Sequence, residues 1–304
     1  LVRLREQTST SWHPDDGFRY WEASNETAHT SARPSSPDAF YSGLLAAHSS
    51  VQRAMAPGMQ IQLPGPQGAR QRDTALFGML SASNNYIGNQ SNYGYGATYW
   101  SYGREDNGSL PLNWLSTDSA LLEWGLCDTA LGHIGFYFDN YLMRPSGEIN
   151  YYTWGQLRGD SVGDIGRLID LYLQATEYCP EAAWKNRYLP HVQDMARHLL
   201  RERAAADAGA SSAPPGCGGM VQGPPEHDWS GVRDRYFFNN NVWILRGMER
   251  LGRYLTTDPA PINATLGQAL LQDAARFRRI VLGCVKACSV RDTAWNNTLF
   301  VPPF

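Results

Sequence analysis

The chain has little charge and lacks the motifs of several large functional classes. Only 18% of its 304 residues are charged, and the formal net charge of -3 gives no basic surface for a polyanion. We therefore expect no nucleic-acid partner. No run of eighteen apolar residues occurs, so we also expect no membrane span. A GxSxG elbow, a phosphate-binding P-loop and an HExxH motif are missing too, which argues against the chemistry that each of them serves.

Cysteine is scarce as well, with five residues in the chain: Cys127, Cys179, Cys217, Cys284 and Cys288. No CxxC pair and no neighbouring His pattern occur, so we expect no metal site. Cys284 and Cys288 are four residues apart and would share one helix face as ordinary core thiols. In an oxidising compartment, Cys179 and Cys217 are candidates for a bridge across a loop, which would leave an odd thiol. The spacing itself assigns no pairing.

The chain begins without an initiator Met and without the layout of a signal peptide, so we expect that such a segment has been removed. Glycosylation sequons are more frequent than the roughly two expected by chance. They begin at Asn25, Asn89, Asn107, Asn263 and Asn296. This excess predicts a secreted or cell-surface glycoprotein.

The sequence divides into an irregular part and a helical part. Residues 1–70, rich in Ser, Pro, Gly and Gln, predict an N-terminal extension or linker, interrupted by a short helix near 38–55. Residues 71–304 predict a helical domain with long helices joined by Gly- and Asn-rich loops. The expected helices span 73–86, 117–142, 161–178, 187–206, 235–256 and 264–287. Alternation typical of a strand is confined to short pieces such as 148–154.

Acidic residues recur beside tryptophan and glycine at the edges of these helices, in segments 100–108, 159–164 and 225–229. Cleaving a glycosidic bond usually takes two carboxyl groups, one protonated and one ionised. Aromatic rings offer flat platforms for the C–H face of a sugar. Acidic residues also cap ordinary helix starts, so only their recurrence beside aromatics favours a sugar site.

Several motifs together resemble the six-hairpin glycosidase superfamily. They are Tyr99-Trp100, Asp106–Pro111, Glu123–Gly125, Gly147–Tyr151, Asp160–Ile169, Gly223–Asp228, Tyr236 and Asn239–Met248. The resemblance implies an all-α fold, an (α/α)6 toroid of helical hairpins, with a funnel-shaped site and inverting hydrolysis without a cofactor. A full toroid has twelve helices and we count only six or seven. We therefore expect an incomplete toroid whose remaining hairpins belong to another chain or to a missing part.

The resemblance carries over to particular carboxylates. Glu226 is the candidate general acid, because the preceding prolines stiffen its approach and Trp229 would raise the pKa of its carboxyl group. Asp106 is the candidate base, next to Asn107 and Gly108 in a turn. The alternatives remain open, since Glu226 or Asp228 would also cap the following helix and Asp-Asn-Gly is an ordinary turn.

The remaining site candidates would bind the substrate. They are Asp160, Asp228, Trp100, Tyr102, Trp154 and Trp229. For Asp164 we expect a helix cap paired with Arg167, while Glu123 and Asp128 would lie inside a helix as weaker candidates. Trp124 and Trp243 are expected in the core.

These observations predict a glycoside hydrolase that acts on an oligosaccharide or polysaccharide. One rival is an inactive carbohydrate-binding or structural glycoprotein on the same scaffold. Another is a subunit of an assembly with no sugar affinity and a large apolar face buried against its neighbours.

Overall fold

The computed structural model describes a predominantly helical, all-α protein, as expected. The residues described are 3–6, 21–24, 36–59, 65, 67–68, 70–75, 85–86, 93–94, 111–153, 156–159, 162–223, 235–257, 262–292 and 298–300. The helices are α1 (Pro37–Met55), α2 (Pro111–Glu123), α3 (Cys127–Tyr141), α4 (Val162–Tyr178), α5 (Ala182–Ala208), α6 (Phe238–Thr257) and α7 (Ala264–Cys288). The chain divides into two compact units, residues 1–56 with 98–104, and residues 57–97 with 105–304.

The first unit contains α1 and an antiparallel strand pair, β1 (Arg3–Glu6) and β2 (Trp21–Ser24). Helix α1 starts where Ser36 accepts a hydrogen bond from the Ala39 amide at 3.1 Å, with Pro37 in the first turn. This confirms the helix expected near 38–55. Nearly all of its described side chains are exposed.

The second unit is built from three antiparallel hairpins, α2/α3, α4/α5 and α6/α7. Side-chain contacts between hairpins sort the helices into two layers, which we name layer A (α2, α4, α6) and layer B (α3, α5, α7). In layer A, Gly163 lies against Asn240 near the start of both helices, and Glu177 pairs with Arg250 near their ends. Helices α4 and α6 are therefore parallel.

Helix α2 runs in the same direction as α4, because Ser116 contacts Arg167 and Ser119 contacts Gln174. The helices of layer B are parallel to one another by the same test. The Trp184 indole donates to the Leu131 carbonyl and Tyr188 donates to Asp139 between α3 and α5. Between α5 and α7, the contacts run from Gln193–Asn263 to Asp207–Arg276.

Helix α4 lies at the centre of this unit. Its apolar side chains on the predicted stripe, such as Ile165, Leu168 and Tyr172, are at most 1% exposed, and burial continues around most of its circumference. A helix surrounded in this way has partners on several sides. The predicted helix 161–178 is confirmed.

The single helix expected at 117–142 is wrong, because it is broken into α2 and α3. Gly125 adopts a φ of +76°, a conformation that favours glycine. Its amide donates to the Leu122 carbonyl and the Leu126 amide donates to the Leu121 carbonyl. This pair of bonds is the Schellman pattern that terminates helices, so the chain turns back after Glu123.

Other boundaries also differ from expectation. Asn85–Tyr86 forms β3, which pairs with β4 (Tyr93–Gly94), so the helix expected at 73–86 does not extend that far. Helix α5 begins at Ala182, five residues earlier than expected. The strand expected from 148 is confirmed as β6 (Glu148–Thr153), between β5 (Leu142–Met143) and β7 (Gln156–Gly159). Strands β8 (Val290–Asp292) and β9 (Thr298–Phe300) form a last antiparallel pair.

The connections differ in length between the two ends of the layers. Within the hairpins, α2 and α3 are joined by three residues, as are α4 and α5. Between hairpins, 20 residues including the small sheet lead from α3 to α4, and 29 lead from α5 to α6. The short turns lie where layer A ends, and the long connections lie where it begins.

Two disulfides link these elements, and the bridge considered between Cys179 and Cys217 is wrong. Cys127 bonds to Cys179, which joins the turn of the first hairpin to the turn of the second. Cys217 bonds to Cys284 on α7, leaving Cys288 as the odd thiol. The first bridge follows from the neighbouring positions of two hairpin turns, and the second from the passage of the connection after α5 across α7.

Among the described helices, none combines the length and the apolar character that crossing a lipid bilayer requires.

Candidate functional site

All eight predicted catalytic and substrate-binding residues lie outside the described part of the chain. They are Glu226, Asp106, Asp160, Asp228, Trp100, Tyr102, Trp154 and Trp229. Their assignment therefore stays a prediction. The helices that directly follow them are described, and these fix where each segment enters the fold.

The starts of α2, α4 and α6 lie at one end of layer A, because the three helices are parallel and adjacent. Asp106 precedes the first residue of α2 by five positions, and Asp160 precedes that of α4 by two. Glu226 and Asp228 precede the start of α6 by twelve and ten positions. We name this end of the second unit the entry end of layer A. Helix starts also present free amide groups and a positive dipole end, which favour anions and polar oxygen atoms.

A row of side chains crosses layer A near this end. Ser116, Arg167 and Trp243 are each the sixth residue of their helix. Arg167 donates to the Ser116 hydroxyl at 3.1 Å, and its guanidinium carbon lies 5.0 Å from the centre of the Trp243 ring. Arg246 lies 5.5 Å from the same ring. The hydrogen bond joins α2 to α4, and the cation–π contact of Arg167 with Trp243 joins α4 to α6.

Trp243 was expected in the core, and this is wrong. Its side chain is only half-buried, and its indole nitrogen donates to Asn239 at 3.1 Å. Trp124, also expected in a helix core, is half-buried in the turn after α2. Sequence reasoning missed the position of Trp243, although a signal was present. Arg246 follows Trp243 by three residues, the spacing at which side chains on one helix meet.

One turn further along, Asp170 neutralises the arginines of α6. Its carboxylate is 1% exposed and accepts from Arg246 at 3.0 Å and Arg250 at 2.5 Å, as well as from Gln174 at 3.0 Å. Burial opposes the charge on Arg250, but hydrogen bonds to Asp170 and Glu177 outweigh it and raise the pKa of Arg250. The two arginines and Gln174 thus occupy the oxygen atoms of this carboxylate. Asp170 is therefore a structural group that fixes α4 to α6.

A second buried carboxyl group, Asp118, joins α2 to α3. Its Oδ1 atom lies 2.9 Å from Nδ1 of His133, and both side chains are at most 3% exposed. Within the described residues, Oδ2 of Asp118 has no hydrogen-bond partner. Burial raises the pKa of the Asp118 carboxyl group, while the hydrogen bond to His133 counteracts the rise. The buried Asp118 carboxyl group therefore binds a proton more tightly than an exposed carboxyl group does.

Asp118 was not singled out from the sequence, but a signal was present. It follows Leu115 by three residues and precedes Leu121 and Leu122 by three and four, so it falls on the apolar stripe of its helix. A carboxylate on such a stripe needs a buried partner. Periodicity alone did not identify His133 as that partner.

The weaker candidates are separated from the entry end. Glu123 is the last residue of α2 and Asp128 the second of α3, and both are exposed. They lie at helix termini beside the hairpin turn, not inside a single helix as expected. The length of α2 places them about 20 Å from its start.

Asp164, expected as a cap and partner of Arg167, is the third residue of α4 and is 4% exposed. Burial lowers the pKa of Arg167, and the charge of Asp164 opposes that shift. The expected electrostatic pairing of Asp164 with Arg167 agrees with this effect.

Of the five sequons, only that of Asn263 lies in the described residues. Asn263 caps α7 by accepting from the Leu266 amide at 3.2 Å, and its Nδ2 atom lies 3.4 Å from the Gln193 side-chain oxygen. The other four acceptor positions, Asn25, Asn89, Asn107 and Asn296, stay predictions.

The entry end of layer A is thus the place where three parallel helices begin. The row of Ser116, Arg167 and Trp243 crosses the layer near this end, and the long connections between hairpins lead to it.

Comparisons of the chain with family models, with characterised protein sequences and with solved structures find no match.

Proposed function

We propose that the chain is a glycoside hydrolase-like protein whose α2–α7 region forms three of the six hairpins of an (α/α)6 toroid. The support is its layering. In such a toroid the inner helices are parallel to one another and the outer helices return antiparallel to them. Layers A and B follow this rule across three consecutive hairpins.

The observation that carries the proposed chemistry is the common origin of α2, α4 and α6. Each helix is entered by a segment holding a candidate carboxyl group, Asp106, Asp160 or Glu226. Since Gly163 touches Asn240 and Ser116 touches Arg167, the helix starts are neighbours. Helix starts that are far apart in sequence therefore lie together, which supports the convergence that a two-carboxylate site needs.

In the proposed mechanism, Glu226 protonates the leaving glycosidic oxygen and Asp106 removes a proton from the attacking water. An inverting pair of this kind is separated by roughly 6.5–9.5 Å, which leaves room for that water molecule. Asp160 and Asp228 would bind sugar hydroxyls. The rings of Trp154 and Trp229 would line the subsites, and the roles of Trp100 and Tyr102 stay predictions from the sequence. The proposal requires neither a metal ion nor an organic cofactor.

The proposed compartment is the secretory route. Two disulfides, Cys127–Cys179 and Cys217–Cys284, are typical of proteins that mature under oxidising conditions. The proposed partner, besides a saccharide, is another chain that supplies the remaining hairpins of the toroid.

Substitution of the two candidate carboxyl groups tests the proposal. We expect the unmutated chain to hydrolyse a member of an oligosaccharide panel with inversion. Glu226→Gln and Asp106→Asn should each lower kcat by about 10²- to 10⁴-fold while binding is retained, because only the proton transfers are lost. The matched control is Glu123→Gln at the opposite end of layer A.

Equal turnover in all three variants would refute the assignment of the site to the entry end. Binding without turnover in the unmutated chain would identify the inactive carbohydrate-binding rival. If the unmutated chain neither binds nor hydrolyses any saccharide, the remaining interpretation is an assembly subunit without sugar affinity.

A further inference from the structure

Three sulfur atoms meet where the connection after α5 crosses α7. Those of Cys217, Cys284 and Cys288 lie within 4.8 Å of one another. Cys217 and Cys284 form a disulfide, and the Cys288 Sγ atom lies 3.7 Å from the Cys217 Sγ atom. Cys284 and Cys288 occupy successive turns of one face of α7, so both are directed at the same neighbour.

Small residues create this close approach. Gly216 adopts a φ of +82°, and a Cβ atom built there would lie 2.6 Å from Cβ of Ala287. Its nearest other neighbour is the Gly283 carbonyl, at 3.6 Å. Because no side chain intervenes, the backbone lies directly on α7 and Cys217 stands within reach of both α7 cysteines.

The three sulfurs differ in access to solvent. Cys217 and Cys284 are each 2% exposed, whereas Cys288 is half-buried. Cys288 is therefore accessible to solvent, while the disulfide is shielded from external thiols. Thiolates, not thiols, attack disulfides.

We propose that Cys217, Cys284 and Cys288 form a thiol–disulfide exchange site. The Cys288 thiolate attacks Sγ of Cys217, a Cys217–Cys288 bond forms, and the Cys217–Cys284 bond breaks. The electron pair leaves on Cys284, which takes up the proton that Cys288 had released. One disulfide and one thiol are present before and after the exchange, so no oxidant or reductant is consumed.

The triangle of sulfurs is compact, so the Cys288 side chain rotates before its sulfur comes into line with the bond that breaks. The product anchors Cys217 four residues further along α7, a displacement of about 6 Å for the attachment point. The anchored segment continues in sequence into residues 224–234, which hold Glu226 and Asp228. The exchange does not depend on any saccharide-cleaving activity.

Disulfide mapping of the unmutated chain tests the proposal. The oxidised protein is incubated at about pH 8 without added thiol, samples are acidified over time, and free thiols are labelled and located by mass spectrometry. We expect label on Cys284 as well as Cys288 within hours, reaching at least roughly a tenth of the total label. The Cys127–Cys179 bridge, which has no third cysteine beside it, is the internal control.

Label confined to Cys288 after about a day would overturn the proposal. Two variants sharpen the test. Cys284→Ser should form the Cys217–Cys288 bridge and show no free thiol, whereas two free thiols in this variant would contradict the geometry. Cys288→Ser should keep the Cys217–Cys284 bridge and show no label at any time.

Discussion

At the scale of single residues, Asn241 holds the connection that leads into α6. Its side chain is fully buried, accepts from the Val221 amide at 2.8 Å, and donates to the carbonyls of Val221 and Phe237 at 3.0 and 2.8 Å. One amide thus satisfies both backbone groups of Val221. It fixes the chain immediately before the segment that carries Glu226.

We expect Asn241→Ala to lower the free energy of unfolding by about 2 kcal/mol, because buried backbone groups lose their partners. Urea denaturation measures the change. The matched control is Asn140→Ala, which removes one exposed hydrogen bond to the Phe136 carbonyl and should cost much less. Equal losses in the two variants would contradict the role assigned to Asn241.

The Asp118 carboxyl group predicts a pH dependence of stability. Burial raises its pKa in the folded state, so the folded chain binds this proton more tightly than the unfolded chain. The resulting stabilisation is fully present below the ordinary carboxyl pKa of about 3.9 and is lost as pH rises through the folded value.

We therefore expect the unmutated chain to lose stability relative to Asp118→Asn as pH rises from about 4 to 7. Denaturant unfolding of both proteins across this range measures the difference, with Asp128→Asn as an exposed control. A difference that moves in the opposite direction would show that the ion pair with His133 outweighs burial.

At the scale of single residues, the sequence predicted contacts within one helix but not contacts between helices. It predicted pairing of Asp164 with Arg167, which are neighbours on one helix. It missed Asp118–His133 and Trp243–Arg167, because these pairs join different helices whose relative placement local spacing does not determine.

At the scale of elements, the close crossing of α4 and α6 depends on glycine. A Cβ atom built on Gly247 would lie 2.7 Å from the Gly166 carbonyl oxygen, and one built on Gly166 would meet the Trp243 backbone. Backbone atoms cannot move aside as flexible side chains do. The two helices would have to separate.

Gly166→Ala should therefore destabilise the protein by about 1–3 kcal/mol, despite the better helix propensity of alanine. Gly132→Ala is the matched control, since it is exposed on α3 with nothing within 4 Å of the added carbon, and it should stabilise by up to about 1 kcal/mol. Thermal unfolding compares them. Stabilisation by both substitutions would refute the close crossing.

Layer B contains a buried arginine that ties α5 to α7. Arg203 is fully buried, pairs with Asp207 at 3.0 Å and Asp273 at 3.2 Å, donates to the Gly219 carbonyl, and stacks on Phe277. It thereby also fixes the connection after α5. Because its partners are only partly exposed, its removal leaves poorly solvated charges and a carbonyl without its donor.

We expect Arg203→Met to lower the free energy of unfolding by about 3 kcal/mol. Arg278→Met, which removes an exposed pair with Glu249, should shift the melting temperature far less. A calorimetric comparison distinguishes them, and similar shifts would contradict the structural role of Arg203.

Helices were predictable from the sequence where the pattern that defines them lies within a few consecutive turns. The apolar stripe of α4 acts within a few turns, so this helix was located closely, and the bounds expected for α7 differ from the observed ones by one residue. The break at Gly125 was missed because the apolar pattern continues across it, and the turn depends on one positive φ. Disulfide pairing was missed because it depends on which hairpin turns are neighbours and on which helix the connection after α5 crosses.

At the scale of the whole molecule, the helical character of residues 71–304 followed from periodicity, whereas the order of helices in two layers did not. Parallel neighbours within a layer arise from contacts between residues some fifty to eighty positions apart, such as Ser116–Arg167 and Asp170–Arg250. Periodicity within one helix carries no information on such pairs. The convergence of Asp106, Asp160 and Glu226 stays a prediction, now supported by the adjacent starts of the helices that follow them.

The separation of the Asp106 and Glu226 carboxyl groups, measured crystallographically, tests this account most directly. We predict roughly 6.5–9.5 Å between them, at the entry end of layer A. A separation of about 20 Å or more, comparable to the length of α2, would contradict the proposed site.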